Sequence, residues 1–523
     1  MTFGPIELVL GLFVVVIALA YLARWIGVAY PILLVLGGLA LGFVPGLPAI
    51  ELQPDLVFLL LLPPILFAAG YSTPIRDLKT NLRPIALLAV GLVLFTTLVV
   101  GAATYLLIPQ MGLAAAFALG AIVAPPDAAA STSIFRRIGA PPRMVTILEG
   151  ESLVNDAAAL IAYRFAVAAA LTGVFSLAHA SLAFVYAGFA GVLVGAVVGV
   201  LVTAAWRRTS DPTLEIMVSL MAPFAAYLPA EAIRASGVLA VVVAGLLAGR
   251  GAARALSPDA RVMGRAVWGI VIFMIDGFAF TLVGLQLPSI MARLSVWGAQ
   301  ELIGLGLAVS LTVIVARIIW VFPASYLPRL LSATLRARDP YPTPGTVFVV
   351  SWAGMRGAVT LAAALALPID PAFPYRDLMI FLAFCVILAT LIGQGLTLPW
   401  LVRRLAAADT KGADAEDSLA RLAALDAALA RLAELADEYP GHLPLIDQLK
   451  TRYDHEASHL GPRTEGPPDA AEQEALEHLE IRTAVVAAQR EAVIRLRDDG
   501  VISDDILHRI ERDLDLEALR SGL

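Results

Sequence analysis

Residues 148–173 read LEGESLVNDAAALIAYRFAVAAALTG, an apolar segment with three carboxylates and an asparagine near its start. Its length fits a membrane-spanning helix, which needs about 20 residues. Charged side chains are expensive in hydrocarbon, so those in such helices face a bundle interior or an ion pathway. Glu151 and Asp156 are therefore candidate functional residues.

The composition agrees with a membrane protein. Of 523 residues, 59% are hydrophobic and 15% are charged, against about 25% charged in soluble proteins. Residues 1–404 are almost continuously apolar, whereas residues 405–523 are rich in charge. We predict an all-α polytopic membrane domain over 1–404 and a helical cytoplasmic tail over 405–523.

The single cysteine, Cys385, excludes a disulfide framework, and the net charge of −6 gives no sign of a nucleic-acid surface.

Thirteen apolar segments are candidate spans. They are residues 6–26, 29–45, 54–71, 83–108, 112–134, 146–172, 180–205, 212–231, 236–250, 266–290, 299–326, 346–367 and 378–402. With the N-terminus outside, eighteen Lys and Arg residues fall in the cytoplasmic loops and three in the opposite loops. This asymmetry predicts a multi-pass protein of the plasma (inner) membrane with its C-terminus in the cytoplasm.

Two spans are interrupted at corresponding positions. If spans 1–6 and 8–13 form two inverted six-helix repeats, segments 112–134 and 346–367 are equivalent. The first contains VAPPDAAAST at 123–132 and the second WAGMRGAVT at 352–360. Proline and glycine break or kink a helix, and paired broken helices indicate the binding site of a transporter. The sequence therefore predicts two crossed, unwound helices.

The polar residues near these breaks offer only hard oxygen ligands. Ser152, Asn155 and Asp156 are spaced to share one helix face, with Asp156 about 16 Å into its span. Asp127 and the carbonyl of Pro126 lie in the neighbouring span. Such ligands suit a small, hard cation, bound chiefly by Asp156 and Asp127. Burial favours the protonated carboxylate and a bound cation favours the ionised form, so cation and proton compete for one site.

Other charged residues lie outside this ligand set. We expect Glu151 and Arg356 to form a structural ion pair between the repeats, whereas Arg164 and Arg317 have no partner that the sequence identifies.

Each polar residue also has a simpler interpretation. Ser152 and Asn155 have the side chains that hydrogen-bond neighbouring helices together. Glu149 lies near the membrane interface, while Asp276 and Glu231 fit a pathway or a packing role equally well.

Five motifs in the membrane region resemble the monovalent cation:proton antiporter-1 family, the sodium/proton exchangers. These are GESLVND at 150–156, LPPILF at 62–67, APPDAAA at 124–130, SGVLAVVVAGLLAG at 236–249 and SWAGMRGAVTLAAALALP at 351–368. They follow the order of the family and cover nearly all of the membrane region.

The resemblance implies that Asp156 is the essential ion and proton carboxylate, with Asn155 beside it. Asp127 and Ser152 would be accessory ligands, and Glu151–Arg356 a stabilising pair. The family also implies a homodimer in which a core domain moves against a dimer domain, and electroneutral exchange for members with an Asn–Asp pair. Many members have Thr-Asp-Pro where this chain has Pro126-Asp127-Ala128, so a proline carbonyl would replace the threonine.

The function predicted is exchange of a monovalent cation for a proton, with no cofactor and no enzymatic activity. Sodium is the first candidate cargo, and a potassium or lithium exchanger remains an alternative. A cation channel is a second alternative, although no filter-like repeat is present. An intramembrane aspartyl protease would need a GxGD motif, which the chain lacks.

The tail has helical periodicity. Leucines recur at 419, 422, 425 and 429, and further helices are predicted around 441–458, 469–497 and 501–519. Its alternating charges fit a solvated helical surface, and it contains no nucleotide-binding, EF-hand or catalytic motif.

Overall fold

The computed structural model describes residues 5–44, 57–174, 176–294, 296–369, 373–405, 411–458 and 487–496, together with isolated positions between 477 and 515. The chain divides into two compact units, residues 1–409 and 410–523. This boundary lies five residues beyond the predicted start of the tail. The regular structure of the described residues is helical, without strands.

Among the described residues of the first unit we number fifteen helices in chain order. They are α1 (Pro5–Ile26), α2 (Tyr30–Gly42), α3 (Leu62–Ser72), α4 (Leu82–Leu107), α5 (Leu113–Val123), α6 (Ala128–Ile138), α7 (Pro142–Thr172), α8 (Leu177–Trp206), α9 (Pro212–Ala232), α10 (Gly237–Ala255), α11 (Pro258–Leu285), α12 (Ala299–Leu331), α13 (Pro344–Trp352), α14 (Ala358–Leu365) and α15 (Arg376–Leu405). Short helices at Ile75–Thr80, Leu287–Arg293 and Ala333–Arg338 lie between them. A π-helical turn, Val57–Leu61, precedes α3, and others interrupt α4 at Leu87–Leu92 and α15 at Ala389–Gln394.

The described residues include eight helices that are long and apolar enough to cross a membrane, and four shorter apolar helices. The prediction of an integral, multi-pass, all-helical membrane protein is confirmed. The total of thirteen spans, the inverted repeats and the orientation stay predictions.

The helices pack in two groups. The crossing group, α4–α7 and α12–α15, contains both interrupted spans, and the supporting group comprises α1–α3 and α8–α11. Small residues allow close helix approach within the supporting group. A Cβ atom at Gly38 of α2 would lie 2.1 Å from the Thr281 carbonyl oxygen of α11, and one at Gly284 would lie 2.2 Å from that of Val35. Backbone contact therefore fixes α2 against α11.

An ionic cluster lies where α7 begins. The carboxylate of Asp339 accepts hydrogen bonds from Arg83 at 3.2 Å, Arg143 at 2.9 Å and Arg329 at 2.7 Å. Burial alone would raise the pKa of Asp339, but hydrogen bonds from Arg143 and Arg329 outweigh it and hold the pKa below its usual range. The cluster thus keeps its central negative charge near neutral pH. We call this side of the unit the Asp339 face; it is the predicted cytoplasmic side.

The second unit contains helices at Lys411–Glu438 and Leu443–Ser458, joined by a 3₁₀ turn. The first carries the predicted leucines, of which Leu425 is buried. The second agrees with the helix predicted at 441–458. Of the helix predicted at 469–497, residues 487–496 are described and are helical, whereas most of the helix predicted at 501–519 lies outside the described residues.

Candidate functional site

The two interrupted spans meet at their breaks, and we call this meeting point the crossing. The first break separates α5 from α6 at residues 124–127, and the second separates α13 from α14 at residues 353–357. The backbone N–H of Asp127 donates to the carbonyl of Met355 at 2.7 Å. The paired breaks that the sequence predicts are therefore present and in direct contact.

Arg356 lies where α5 and α13 end. Its Nε donates to the Val123 carbonyl at 3.0 Å and its Nη2 to that of Ala124 at 3.4 Å, while Nη1 donates to the Gly354 carbonyl. A helix that ends leaves its last carbonyls without helical partners and carries partial negative charge there. The buried guanidinium supplies both the donors and the compensating positive charge.

Asp127 occupies the complementary position, where α6 and α14 begin. It immediately precedes α6, and a Cβ atom at Gly357, the residue before α14, would lie 1.8 Å from its Oδ2. Helix N-termini expose N–H groups and partial positive charge, which favour an anion. The crossing thus has an arginine at two helix C-termini and a carboxylate at two N-termini.

The predicted pairing of Glu151 with Arg356 is wrong. Glu151 receives two hydrogen bonds from Arg317 of α12, at 2.5 and 2.8 Å, and both side chains are fully buried. Arg356 is occupied by the carbonyls of the breaks instead. Gly354 allows the arrangement, because a Cβ atom there would lie 2.3 Å from Cδ of Arg317.

Helix α7 brings the GESLVND residues to the crossing. Asn155 is fully buried and its Nδ2 donates to the Pro126 carbonyl at 2.9 Å, so the amide links α7 to the first break. Asp156 is buried, and Asp127 is near enough for its charge to act on Asp156. Ser152, one turn earlier, is half-buried.

Several oxygen atoms thus converge beside the crossing. The Oδ1 atom of Asn155 is buried and accepts no hydrogen bond from the described residues. The Pro126 carbonyl has a second lone pair beyond the one that Asn155 uses. With the carboxylates of Asp156 and Asp127, these atoms form the kind of ligand set that a hard cation prefers.

The structure also gives partners to residues that the sequence left undecided. Arg164 pairs with Glu231 of α9 at 2.9 Å, and Glu149 pairs with Arg136 at 2.7 Å near the Asp339 face. Asp276 accepts a hydrogen bond from the Tyr30 hydroxyl at 3.0 Å. No local pattern predicts these pairs, because each joins helices whose adjacency is a tertiary property.

The comparison with protein families decides the identity. The family described as "Sodium/hydrogen exchanger, transmembrane" matches residues 12–404. The chain belongs to the sodium/hydrogen exchanger family. The match includes the two breaks, α7 and both helix groups, so the predicted resemblance is confirmed.

Curated relatives of this exchanger are named as transporters rather than enzymes. An uncharacterized Na⁺/H⁺ exchanger of Mycobacterium tuberculosis is 35% identical and aligns over 99% of this chain and 98% of its own length. A sodium, potassium, lithium and rubidium/H⁺ antiporter of Bacillus subtilis is 36% identical over 70% of this chain and 56% of its own. A low-affinity Na⁺/H⁺ antiporter of Synechocystis is 32% identical over 82% and 79%.

The fold of the exchanger resembles a solved antiporter. The sodium proton antiporter MjNhaP1 from Methanocaldococcus jannaschii superimposes with a TM-score of 0.62 over 78% of this chain and 99% of that one. The two sequences are 20% identical, so the likeness concerns the fold alone.

Proposed function

We propose that this exchanger moves a monovalent cation in one direction and a proton in the other, with both competing for Asp156. Sodium is the first candidate cargo, and the broad cargo named for the Bacillus subtilis relative keeps potassium and lithium as alternatives. The observation that carries the proposal is the contact between α7 and the first break, where Asn155 bonds the Pro126 carbonyl next to the buried Asp156.

The binding site would use five groups at the crossing. Asp156 is the carboxylate that alternates between proton and cation, and Asp127, Ser152 and the Pro126 carbonyl are accessory ligands. Asn155 positions α7 and offers its Oδ1. Low polarity around Asp156 makes the ionised form unfavourable without a cation, which couples release of one ligand to binding of the other.

Exchange would proceed by alternating access. The crossing group would move against the supporting group, so that the site opens to one side of the membrane at a time. We propose a homodimer built on the supporting group, in the plasma membrane, with the N-terminus outside and the tail in the cytoplasm. One alternating carboxylate per chain gives a 1:1, electroneutral exchange.

The proposal is tested in proteoliposomes that contain a pH-sensitive dye. Addition of sodium, potassium or lithium to wild type should release protons in a saturable manner, whereas Asp156→Asn, which cannot ionise, should be inert. Glu301→Gln, at an exposed site in the first turn of α12, is the matched control and should behave as wild type. Proton release by folded Asp156→Asn, or cation flux without counter-movement of protons, would contradict the proposal.

A further inference from the structure

The proposed site leaves the buried carboxylate of Asp276 unused. Asp276 lies in α11 of the supporting group and is 5% exposed. Among the described residues its hydrogen-bond partner is Tyr30, the first residue of α2, at 3.0 Å. Tyrosine is neutral at ordinary pH, so this hydrogen bond leaves the charge of Asp276 uncompensated.

Both helices that carry this pair pack on the crossing. Helix α11 contacts α14, and Asp127 lies against the residue that precedes α14. At the start of α2, the Ile32 side chain and Met355 of the second break both contact the position of Gly395. Asp127 of the crossing is near enough for its charge to act on Asp276. Among the described residues, Asp276 thus lies within electrostatic reach of a second carboxylate and forms no ion pair with an arginine or lysine.

The pair lies on one side of the crossing. Gly27, which precedes α2, is adjacent to the Arg137 side chain at the end of α6, and α7 begins four residues after α6. Tyr30 is thus at the end of α2 nearest the Asp339 face. The hydrogen bond places the Asp276 carboxylate beside that end of α2.

Packing alone does not account for a carboxylate at this position. Helices α2 and α11 are already held by backbone contact at Gly38 and Gly284. An asparagine would accept the same hydrogen bond from Tyr30 without the desolvation of a charge. An ionisable group that lacks a cationic partner instead requires a proton or a cation, as do the groups of the proposed site.

We propose that Asp276, held by Tyr30, is an access site where the cation and the proton bind on their way between the Asp339 face and Asp156. This inference rests on the proposed function. Asp276 belongs to the supporting group, so it passes its ligand to the crossing and carries no charge across the membrane. The exchange ratio is therefore unchanged by it.

The test compares exchange from the two faces, with everted and right-side-out membrane vesicles and sodium as the probe. In Asp276→Asn the KM for sodium should rise about tenfold at the Asp339 face, because a nearby unit charge contributes attraction of that order. The KM at the other face and the maximal rate should change less than about twofold. Tyr30→Phe, which keeps the carboxylate but removes its hydrogen bond, should alter the same KM and shift the pH profile at the same face only.

Glu301→Gln is again the matched control and should leave both KM values unchanged. Asp276→Asn with unchanged KM values, or with equal changes at both faces, would overturn the inference. If Asp276→Asn does not fold, Tyr30→Phe decides, and the absence of a face-specific change in that variant overturns it. Wild-type vesicles without exchange would refute the proposed function as well, whereas normal exchange with these negative results refutes the access site alone.

Discussion

The residues of the crossing are arranged by the charge that each helix end carries. Arg356 meets the C-terminal carbonyls of two half-helices, and Asp127 lies at two N-termini. The crossing therefore compensates its own dipoles, and Glu151 with Arg317 forms a separate, fully buried ion pair. A buried pair is strongly destabilising when one partner is removed, because the other charge is left without compensation.

Replacement of Glu151 or Arg317 should reduce the stability of the protein, because each leaves the other charge buried without a partner. We expect Glu151→Gln and Arg317→Met each to destabilise the protein by about 3–5 kcal/mol, and the double variant to lose less than the sum. Thermal unfolding of the purified variants measures the effect. The matched cycle of Glu151→Gln with Arg356→Met should show weaker coupling, since Arg356 bonds carbonyls. Equal coupling in the two cycles would contradict the assigned partners.

At the scale of elements, each interrupted span consists of two half-helices whose free ends point into the crossing. The breaks expose carbonyls and N–H groups that a continuous helix would satisfy internally. The structure uses some of them for contact between the breaks, as in the Asp127–Met355 hydrogen bond, and leaves oxygen atoms for the proposed ligand set. Close backbone approach at Gly357 keeps Asp127 in place.

Gly357→Ala should therefore disrupt exchange. The added methyl group would lie 1.8 Å from Oδ2 of Asp127, so the carboxylate must leave the N-terminus of α14. The backbone at Gly357 has φ −135°, which alanine also adopts, so strain is not the cause. We expect at least a tenfold loss of sodium-driven proton flux, on the order of 1.4 kcal/mol. Gly393→Ala, where nothing lies within 4 Å of the added atom, is the control, and equal activity of both variants would argue against the role of Asp127.

At the scale of the whole membrane unit, an ion pair joins the crossing group to α9 of the supporting group, Arg164–Glu231 at 2.9 Å. A second pair, Arg293–Asp377 at 3.9 Å, joins α15 to the short helix Leu287–Arg293. Arg164 follows Asp156 by eight residues of α7, about 12 Å farther from the Asp339 face. Both pairs are partly exposed. Exposed pairs contribute about 0.2–1 kcal/mol, so this contact can bias an alternating equilibrium without locking it.

Loss of Glu231 should favour the state in which the proposed site is open to the side of the membrane opposite the Asp339 face. The reporter is Leu160→Cys, which lies between Asp156 and Arg164, in a Cys385→Ala background. In this protein, Glu231→Gln should increase labelling of the reporter by an impermeant thiol reagent. The increase should be up to about fivefold, the population ratio that corresponds to 0.2–1 kcal/mol. Arg136→Gln breaks a pair within the crossing group and should leave labelling unchanged. Identical labelling of the Glu231→Gln variant and wild type would contradict a linking role.

The exchange ratio is also a property of the whole unit. With Glu151 compensated by Arg317 and Asn155 neutral, one alternating carboxylate, Asp156, moves with the crossing group. We expect a potassium–valinomycin potential to leave sodium-driven proton flux unchanged, whereas net movement of one charge would couple it by about 2.3 kcal/mol per 100 mV. The flux of the Asn155→Asp variant should change with this potential, because the variant carries two adjacent carboxylates. A voltage-dependent wild type would mean that Asp127 also carries a proton.

The sequence by itself determined the class of protein, the positions of both helix breaks and the presence of Asp156 in a membrane helix. These are local properties, because hydrophobic length, proline, glycine and charge act within a few turns of the chain. They also sufficed to identify the family, since the motifs around the breaks are contiguous.

Only the tertiary structure decided which side chains meet. Glu151 and Arg317 are 166 residues apart, and Tyr30 and Asp276 are 246 apart. The sequence paired Glu151 with Arg356 as a link between the two repeats, but the carbonyls exposed by the breaks already engage that guanidinium. Which arginine reaches a buried glutamate depends on which helices are neighbours and where glycine makes room for a side chain, and neither is encoded in a local pattern.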